Sequence, residues 1–292
     1  MSAPSALFDA LIDYAGLFPP AKLSMPDAVR QYATHVRGPH SSQLGRFVVP
    51  LARLAEFATA YSLLPIAEQA GWTLSGLGTG DPGAEALAIA AHNKLHPSAP
   101  IVAVELKAAT PADVARVGTG WLRGLKVWVE VPCADDVTPL MAAIKAANCC
   151  AKIRTGGVTP DAFPQAAQVA RFLAVCHDVG VVCKATAGLH HPLRGDYRLT
   201  YEPGSPTGPM FGFLNVFLAA TLLHGGGALS EAEGLLLESN AANFRVTPAA
   251  IQWRTHSFSS AQIHAARQSL CRSFGSCSFT EPIAGLQELH WL

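Results

Sequence analysis

Two lysines stand in segments where a buried strand would ordinarily carry none. The runs Ala151-Lys152-Ile153-Arg154-Thr155-Gly156-Gly157 and Val182-Cys183-Lys184-Ala185-Thr186-Ala187-Gly188 bracket one helix-sized segment, which makes a strand, helix, strand unit. Alternate side chains of a strand share a face, so Lys152 and Arg154 point one way and Ala151, Ile153 and Thr155 the other. Lys184 and Thr186 repeat the pattern. Because parallel strands buried on both faces read as near-continuous hydrophobic runs, cations on one face mark these strands as the reactive part of the chain. A lysine that attacks a carbonyl must be neutral, and lowering its pKa by about three units takes roughly 4 kcal/mol of differential destabilisation of the cation. Desolvation and neighbouring cations can supply that, and Lys152 is expected to have both Arg154 and Lys184 nearby. The resulting imine would serve as an electron sink for making or breaking a carbon–carbon bond, with Glu105 or Glu130 as the carboxylate that moves protons.

These residues need elements that aim them at one place. Upstream, apolar runs recur with helical segments between them. A short strand is expected within Ala6 to Ile12, then strands at Arg46 to Pro50, Trp72 to Gly80, Ile101 to Leu106 and Leu125 to Val131, followed by the two lysine strands. An eighth strand is read at Met210 to Leu214, with Val216 to Leu223 as its helix. This alternation over residues 1–227 predicts an α/β fold of the (β/α)8 TIM-barrel type, with residues 228–292 as a C-terminal helical extension packed on the barrel or on a partner subunit. The open doubly wound sheet is the competing architecture. In a barrel, Glu105 and Lys107, then Lys126, Trp128 and Glu130, then Lys152 and Arg154, then Lys184 and Thr186, fall on one parity and face a common axis. Buried charges at such a density must pair or neutralise.

The runs Leu125 to Glu130, Lys152-Ile153-Arg154-Thr155-Gly156-Gly157 and Gly180 to Leu189 together resemble deoxyribose-phosphate aldolase and related class I aldolases. In that family a strand-six lysine forms the Schiff base and a strand-seven lysine lowers its pKa. The resemblance implies those roles for Lys152 and Lys184. Family members place an aspartate near the end of strand four as proton shuttle, where this chain has Glu105. Two departures bear on the substrate. Gly188-Leu189-His190-His191-Pro192 stands where the family carries Gly-Gly-Ile-Arg, and Gly212-Phe213-Leu214-Asn215 replaces its phosphate-binding turn, so a small unphosphorylated carbonyl compound or keto acid is expected. Arg154 would then hold a substrate carboxylate by a bidentate contact.

Composition narrows the partners. The chain has 292 residues, half of them hydrophobic and 14% charged, with a formal net charge of zero. Nothing in this balance favours nucleic acid or an anionic membrane. No run of eighteen apolar residues and no basic, then apolar, N-terminal segment occurs, so a cytoplasmic protein acting on a small molecule without a cofactor is expected. A homo-oligomer fits the C-terminal segment. Seven cysteines, two of them adjacent at Cys149-Cys150, suit reduced thiols. His190, His191, Thr186 and Asn215 are candidate substrate-binding residues, although Asn215 could equally cap its helix. Two other functions compete with the lyase. Glu105, Glu130 and His190 or His191 could ligate a divalent ion in a metal-dependent hydrolase or lyase. Alternatively, Lys152 and Lys184 could merely hold an anion in a non-catalytic barrel. The Gly76 to Gly80 run could cradle an anion through backbone N–H groups, but it lacks the Lys-Ser/Thr end of a P-loop.

Overall fold

The computed structural model describes all residues 1–292. Alternating side chains in the first two-thirds of the chain yield seven strands: β1 Ile12–Tyr14, β2 Leu44–Pro50, β3 Leu74–Leu77, β4 Ile101–Lys107, β5 Lys126–Val131, β6 Cys150–Arg154 and β7 Cys183–Thr186. The chain then forms an antiparallel hairpin from β8 (Gly195–Arg198) and β9 (Thr207–Met210), and a small antiparallel sheet from β10 (Phe244–Val246), β11 (Ala250–Trp253) and β12 (His256–Ser259). Its last strand, β13 (Cys271–Ser276), inserts in parallel between β7 and β1 and closes the sheet. The result is an eight-stranded, all-parallel closed barrel surrounded by helices, a (β/α)8 fold.

The helices carry their own start signals. α1 (Ala3–Phe8) precedes β1, and between the strands run α2 (Met25–Arg37), α3 (Leu54–Ser62), α4 (Pro82–Leu95), α5 (Pro111–Val117), α6 (Thr138–Ala146) and α7 (Ala166–Val179), followed by α8 (Phe213–His224), α9 (Leu229–Leu236), α10 (Ser260–Ser269) and α11 (Thr280–Glu288). Ser24, Asp81 and Thr110 each cap a helix by accepting from a backbone N–H three residues on, with proline in the first turn of each. Behind β1 to β3 the outer core is aromatic. Tyr32 meets Trp72 edge-on at 4.5 Å, and Phe47 and Phe57 pack at 5.5 Å beside them.

Two expected elements lie elsewhere. Met210 to Leu214 is not a barrel strand: it spans the end of β9 and the start of α8, a helix buried all round from Phe213 to Leu223. A continuous apolar run does not distinguish a buried strand from a buried helix. The true eighth strand, Cys-Arg-Ser-Phe-Gly-Ser at 271–276, has no β-branched residue and an interior of serine and glycine, so periodicity is nearly silent there. The barrel therefore runs to Ser276, and residues 228–292 are partly wall rather than wholly an extension. At the other end, Ala6 belongs to α1, and β1 is only the three residues Ile12–Tyr14. Arg267 on α10 is buried and donates to the carbonyls of Leu7, Asp9 and Arg272, which ties the last β/α unit to the first.

A chain ending at Gly227 would leave β7 and β1 as unpaired edges of an open sheet. It should lose cooperative thermal unfolding and aggregate, as read by circular dichroism and size-exclusion chromatography beside the full chain. A monomeric fragment with a sharp melting transition would contradict the closure described here.

Candidate active site

Parallel register sets the heights of the site residues. Lys107 on β4, Glu130 on β5, Lys152 on β6 and Lys184 on β7 are successive Cα partners, and Glu105 lies one inward-facing position lower, opposite Trp128. All of these side chains face the barrel axis, as their shared parity requires.

The inward charges alternate in sign. Lys184 Nζ donates to Asp13 Oδ2 at 2.6 Å and to Glu105 Oε1 at 2.8 Å. Glu105 turns its other oxygen to Lys152, with Oε2 at 2.8 Å from Nζ, and Lys152 also reaches Glu130 Oε2 at 2.8 Å. Glu105 thus bridges both ammonium groups. Neutral donors fill the remaining acceptor sites: Ser75 Oγ donates to Glu105 Oε1, Ser273 Oγ to Asp13 Oδ2, and the Arg46 backbone N–H to Asp13 Oδ1. Asp13, Glu105, Lys152 and Lys184 are all at least 95% buried. The indole of Trp128 lies 5.7 Å from Lys184 Nζ and 5.5 Å from Lys126 Nζ.

This pairing corrects the expected tuning of Lys152. Burial favours its neutral form, but Glu105 and Glu130 outweigh burial and hold its pKa above the ordinary lysine value. Burial likewise opposes ionisation of Glu105, and the two lysines overcome it, holding that carboxyl well below its usual range. Lys152 is therefore an ammonium at rest, rather than an amine freed by neighbouring cations. Arg154 does not crowd it: its guanidinium lies 3.9 Å from Glu130 with the side chain half exposed, and Lys107 makes the same long contact from an exposed position.

A cavity of about 270 Å³ sits above this network at the C-terminal ends of the strands, where barrel enzymes place their chemistry. Lys152, Glu105 and Glu130 reach its floor, whereas Lys184 is sealed beneath. Phe18-Pro19-Pro20, following β1, and Leu199 and Met210, from the β8–β9 hairpin, wall its sides. Thr186, His190 and Cys277 also line it, and Arg154 and Lys107 connect it to a wider outer hollow. The motif glycines explain themselves here. The loops after β6 and β7 cross so closely that a Cβ on Gly156 would lie 3.0 Å from the Gly188 Cα, and Gly188 has φ +71°. Thr155 Oγ1 donates to Ala187 O at 2.7 Å and pins the crossing.

Other candidates are positioned differently. His191 leaves the cavity and stacks on Tyr197 with centroids 3.5 Å apart. Asn215 is a buried tie, donating to the carbonyls of Leu235 and Glu238 and accepting from Arg194 N–H. The N–H groups of Thr79 and Gly80 donate to Glu85, so the chain itself fills that glycine cradle. No three His, Cys, Asp or Glu side chains converge as a metal site would need. Glu105 and Glu130 are engaged by lysines, and His190 by Glu281. Ser75, Ser273 and Glu281 carry no local signal in the sequence at all. No protein-family model, curated protein or solved structure matches the chain.

Removing the bridging carboxylate should be costly. Glu105→Gln leaves two buried ammonium groups each short of a partner and should destabilise the fold by about 3–5 kcal/mol. Because the folded-state pKa of Glu105 is depressed, its stabilisation is present above the ordinary value of 4.5 and is lost as pH falls below it. Urea unfolding between pH 7 and pH 3 should therefore fall more steeply in the unmodified protein than in the variant. Parallel curves would remove the bridge from the stability of the fold.

Proposed function

We propose that this chain is a cofactor-independent carbon–carbon lyase of the class I aldolase type, forming a Schiff base between Lys152 and a small carbonyl or keto-acid substrate. The observation that carries the proposal is Lys152 itself: a buried lysine on the floor of a cavity at the strand C-termini, hydrogen-bonded at 2.8 Å to each of two carboxylates. The resemblance of strands six and seven to class I aldolases points the same way. So does a carboxylate on strand four.

The raised pKa of Lys152 changes how the imine must form. Glu130 Oε2 already accepts a hydrogen bond from Lys152 and borders the cavity, so it can take the ammonium proton in place. The freed amine adds to the substrate carbonyl, and Glu130 returns that proton to the carbinolamine hydroxyl, which leaves as water. The product is an iminium. Overall one cation replaces another at the same nitrogen, so Glu105 and Glu130 stabilise the iminium as they stabilised the ammonium. The iminium then accepts the electron pair of the breaking bond. Lys184 keeps Glu105 ionised and fixed, and is itself too buried to compete for substrate.

Substrate size follows from the cavity, which is at the small end of ligand sites. Its cationic rim suits a carboxylate on the substrate, because Arg154 and Lys107 make only 3.9 Å contacts with Glu130 and have donors to spare.

Sodium borohydride in the presence of pyruvate, glyoxylate, acetaldehyde or dihydroxyacetone should leave a reduced adduct on Lys152, located by peptide mass spectrometry, and none in Lys152→Met. With Glu130 as internal proton acceptor, adduct formation should vary little between pH 6 and pH 9. In Glu130→Gln it should fall about 100-fold at pH 7 and climb with pH, since Glu105, held ionised by both lysines, is a poor acceptor and solvent must take the proton. An intact Lys152 with every carbonyl would retire the lyase assignment.

A further inference from the structure

A second hydrogen-bonded pair borders the same cavity and has no part in forming the imine. His190, after β7, is buried and lines the cavity wall. Its Nδ1 lies 2.8 Å from Glu281 Oε2, and Glu281 comes from the first turn of α11, ninety-one residues on. Tyr201 Oη donates to the same carboxylate oxygen at 3.0 Å and lies 3.7 Å from Cys277 Sγ. Two donors on one oxygen hold the carboxylate still. Burial works against the Glu281 charge, but His190 and Tyr201 overcome it and keep it ionised. An ionised carboxylate only accepts, so whenever the ring is neutral its proton sits on Nδ1. Nε2 makes no protein hydrogen bond and is not sealed from solvent, so in the neutral ring its lone pair is free on a residue that lines the cavity.

We infer that His190, oriented by Glu281, is the acid/base for the oxygen of the substrate carbon that leaves, in a reaction whose other half is carried on Lys152. This rests on the Schiff-base reading. The substrate class it implies is a β-hydroxy carbonyl compound. In cleavage, the hydroxyl proton passes to His190 Nε2, the O–H electron pair becomes the second bond of the new carbonyl, and the carbon–carbon bond breaks. Its electron pair enters the iminium, which becomes a neutral enamine. In the addition direction the same proton returns from Nε2 to the alkoxide. One carboxylate pair therefore serves the nitrogen and the histidine serves the oxygen, so neither has to move between the two ends of the substrate. Glu281 is a positioning residue. It touches no substrate and acts by fixing the ring and its tautomer.

The test separates the two halves. Pyruvate bound as an enamine should exchange its methyl protons for deuterium in D2O, a step that needs Lys152 and its carboxylates but not His190. Condensation of pyruvate with glyoxylate needs both. In His190→Asn and Glu281→Gln, borohydride trapping and deuterium exchange should stay within twofold of the unmodified protein, while condensation falls about 100-fold in the first variant and about tenfold or more in the second. Long-range proton–nitrogen NMR should find the His190 proton on Nδ1, and Glu281→Gln should shift the tautomer toward Nε2–H. Trapping and exchange with condensation unchanged in both variants would overturn the role of His190 and leave the lyase reading standing. A fixed tautomer in Glu281→Gln would overturn the role of Glu281. No adduct and no exchange in the unmodified protein would remove the Schiff base and this inference with it.

Discussion

Two ammonium groups inside one barrel impose a constraint that reaches most of the structure. Neither could remain charged there without carboxylates at hydrogen-bonding distance, and Glu105 satisfies both by giving one oxygen to each. The network then has to end in carboxylates on either side, Asp13 beyond Lys184 and Glu130 beyond Lys152. Asp13 lies on the first barrel strand, and its remaining contacts come from Ser273 on the last strand and from the Arg46 backbone on the second. The charge network therefore spans the seam where the two ends of the chain meet. Site and barrel closure are one problem here, and a change at the seam is felt at Lys184.

The two lysines have similar partners and different fates. Each has two carboxylate contacts within 2.8 Å, yet Lys152 reaches the cavity and Lys184 does not. Access, rather than charge, distinguishes the residue that can meet a substrate from the one that holds the site. The pairing also alters the energetic logic of the proposed chemistry. A lysine made reactive by nearby cations meets the same repulsion again once it becomes an iminium's nitrogen, because the charge returns. A lysine held between carboxylates keeps the same electrostatic partners before and after. The cost falls instead on the brief neutral stage, where a carboxylate 2.8 Å away is available to hold the proton.

The legible parts of this site were those whose side chains break a strand's hydrophobic pattern. Glu105, Glu130, Lys152 and Lys184 each stand among valine, alanine or isoleucine, so parity alone aims them at one axis. Their mutual pairing could be inferred as a need, but not its geometry, because register and strand stagger decide which charge meets which. Neighbouring strands make Lys184 read as a cation beside Lys152, whereas Glu105 stands between their charges. Ser75 and Ser273 were invisible, since a small polar residue in a short strand departs from no pattern. The last strand was missed for the same reason. Its Ser273 and Gly275 face a crowded interior, where a Cβ on Gly275 would approach Thr186 Oγ1 to 2.9 Å. The sequence there is shaped by space rather than by hydrophobicity.

The long excursion between β7 and β13 shapes the cavity. A minimal barrel would join these strands through one helix, but here the chain first forms the β8–β9 hairpin, which lines the cavity, then α8 to α10 and a separate three-stranded sheet. Leu199 and Met210 bring apolar surface to the cavity wall, and Tyr197 on the same hairpin is braced by its stack on His191. Glu281 then reaches His190 from the helix after β13, so the loop that follows β7 is fastened at its far side to the strand that closes the barrel. Water is thereby limited around a nitrogen whose pairing with carboxylates is stronger in a dry site. Arg154 and Lys107 form the rim between the cavity and the outer hollow, so any molecule too long for about 270 Å³ has to pass those two cations.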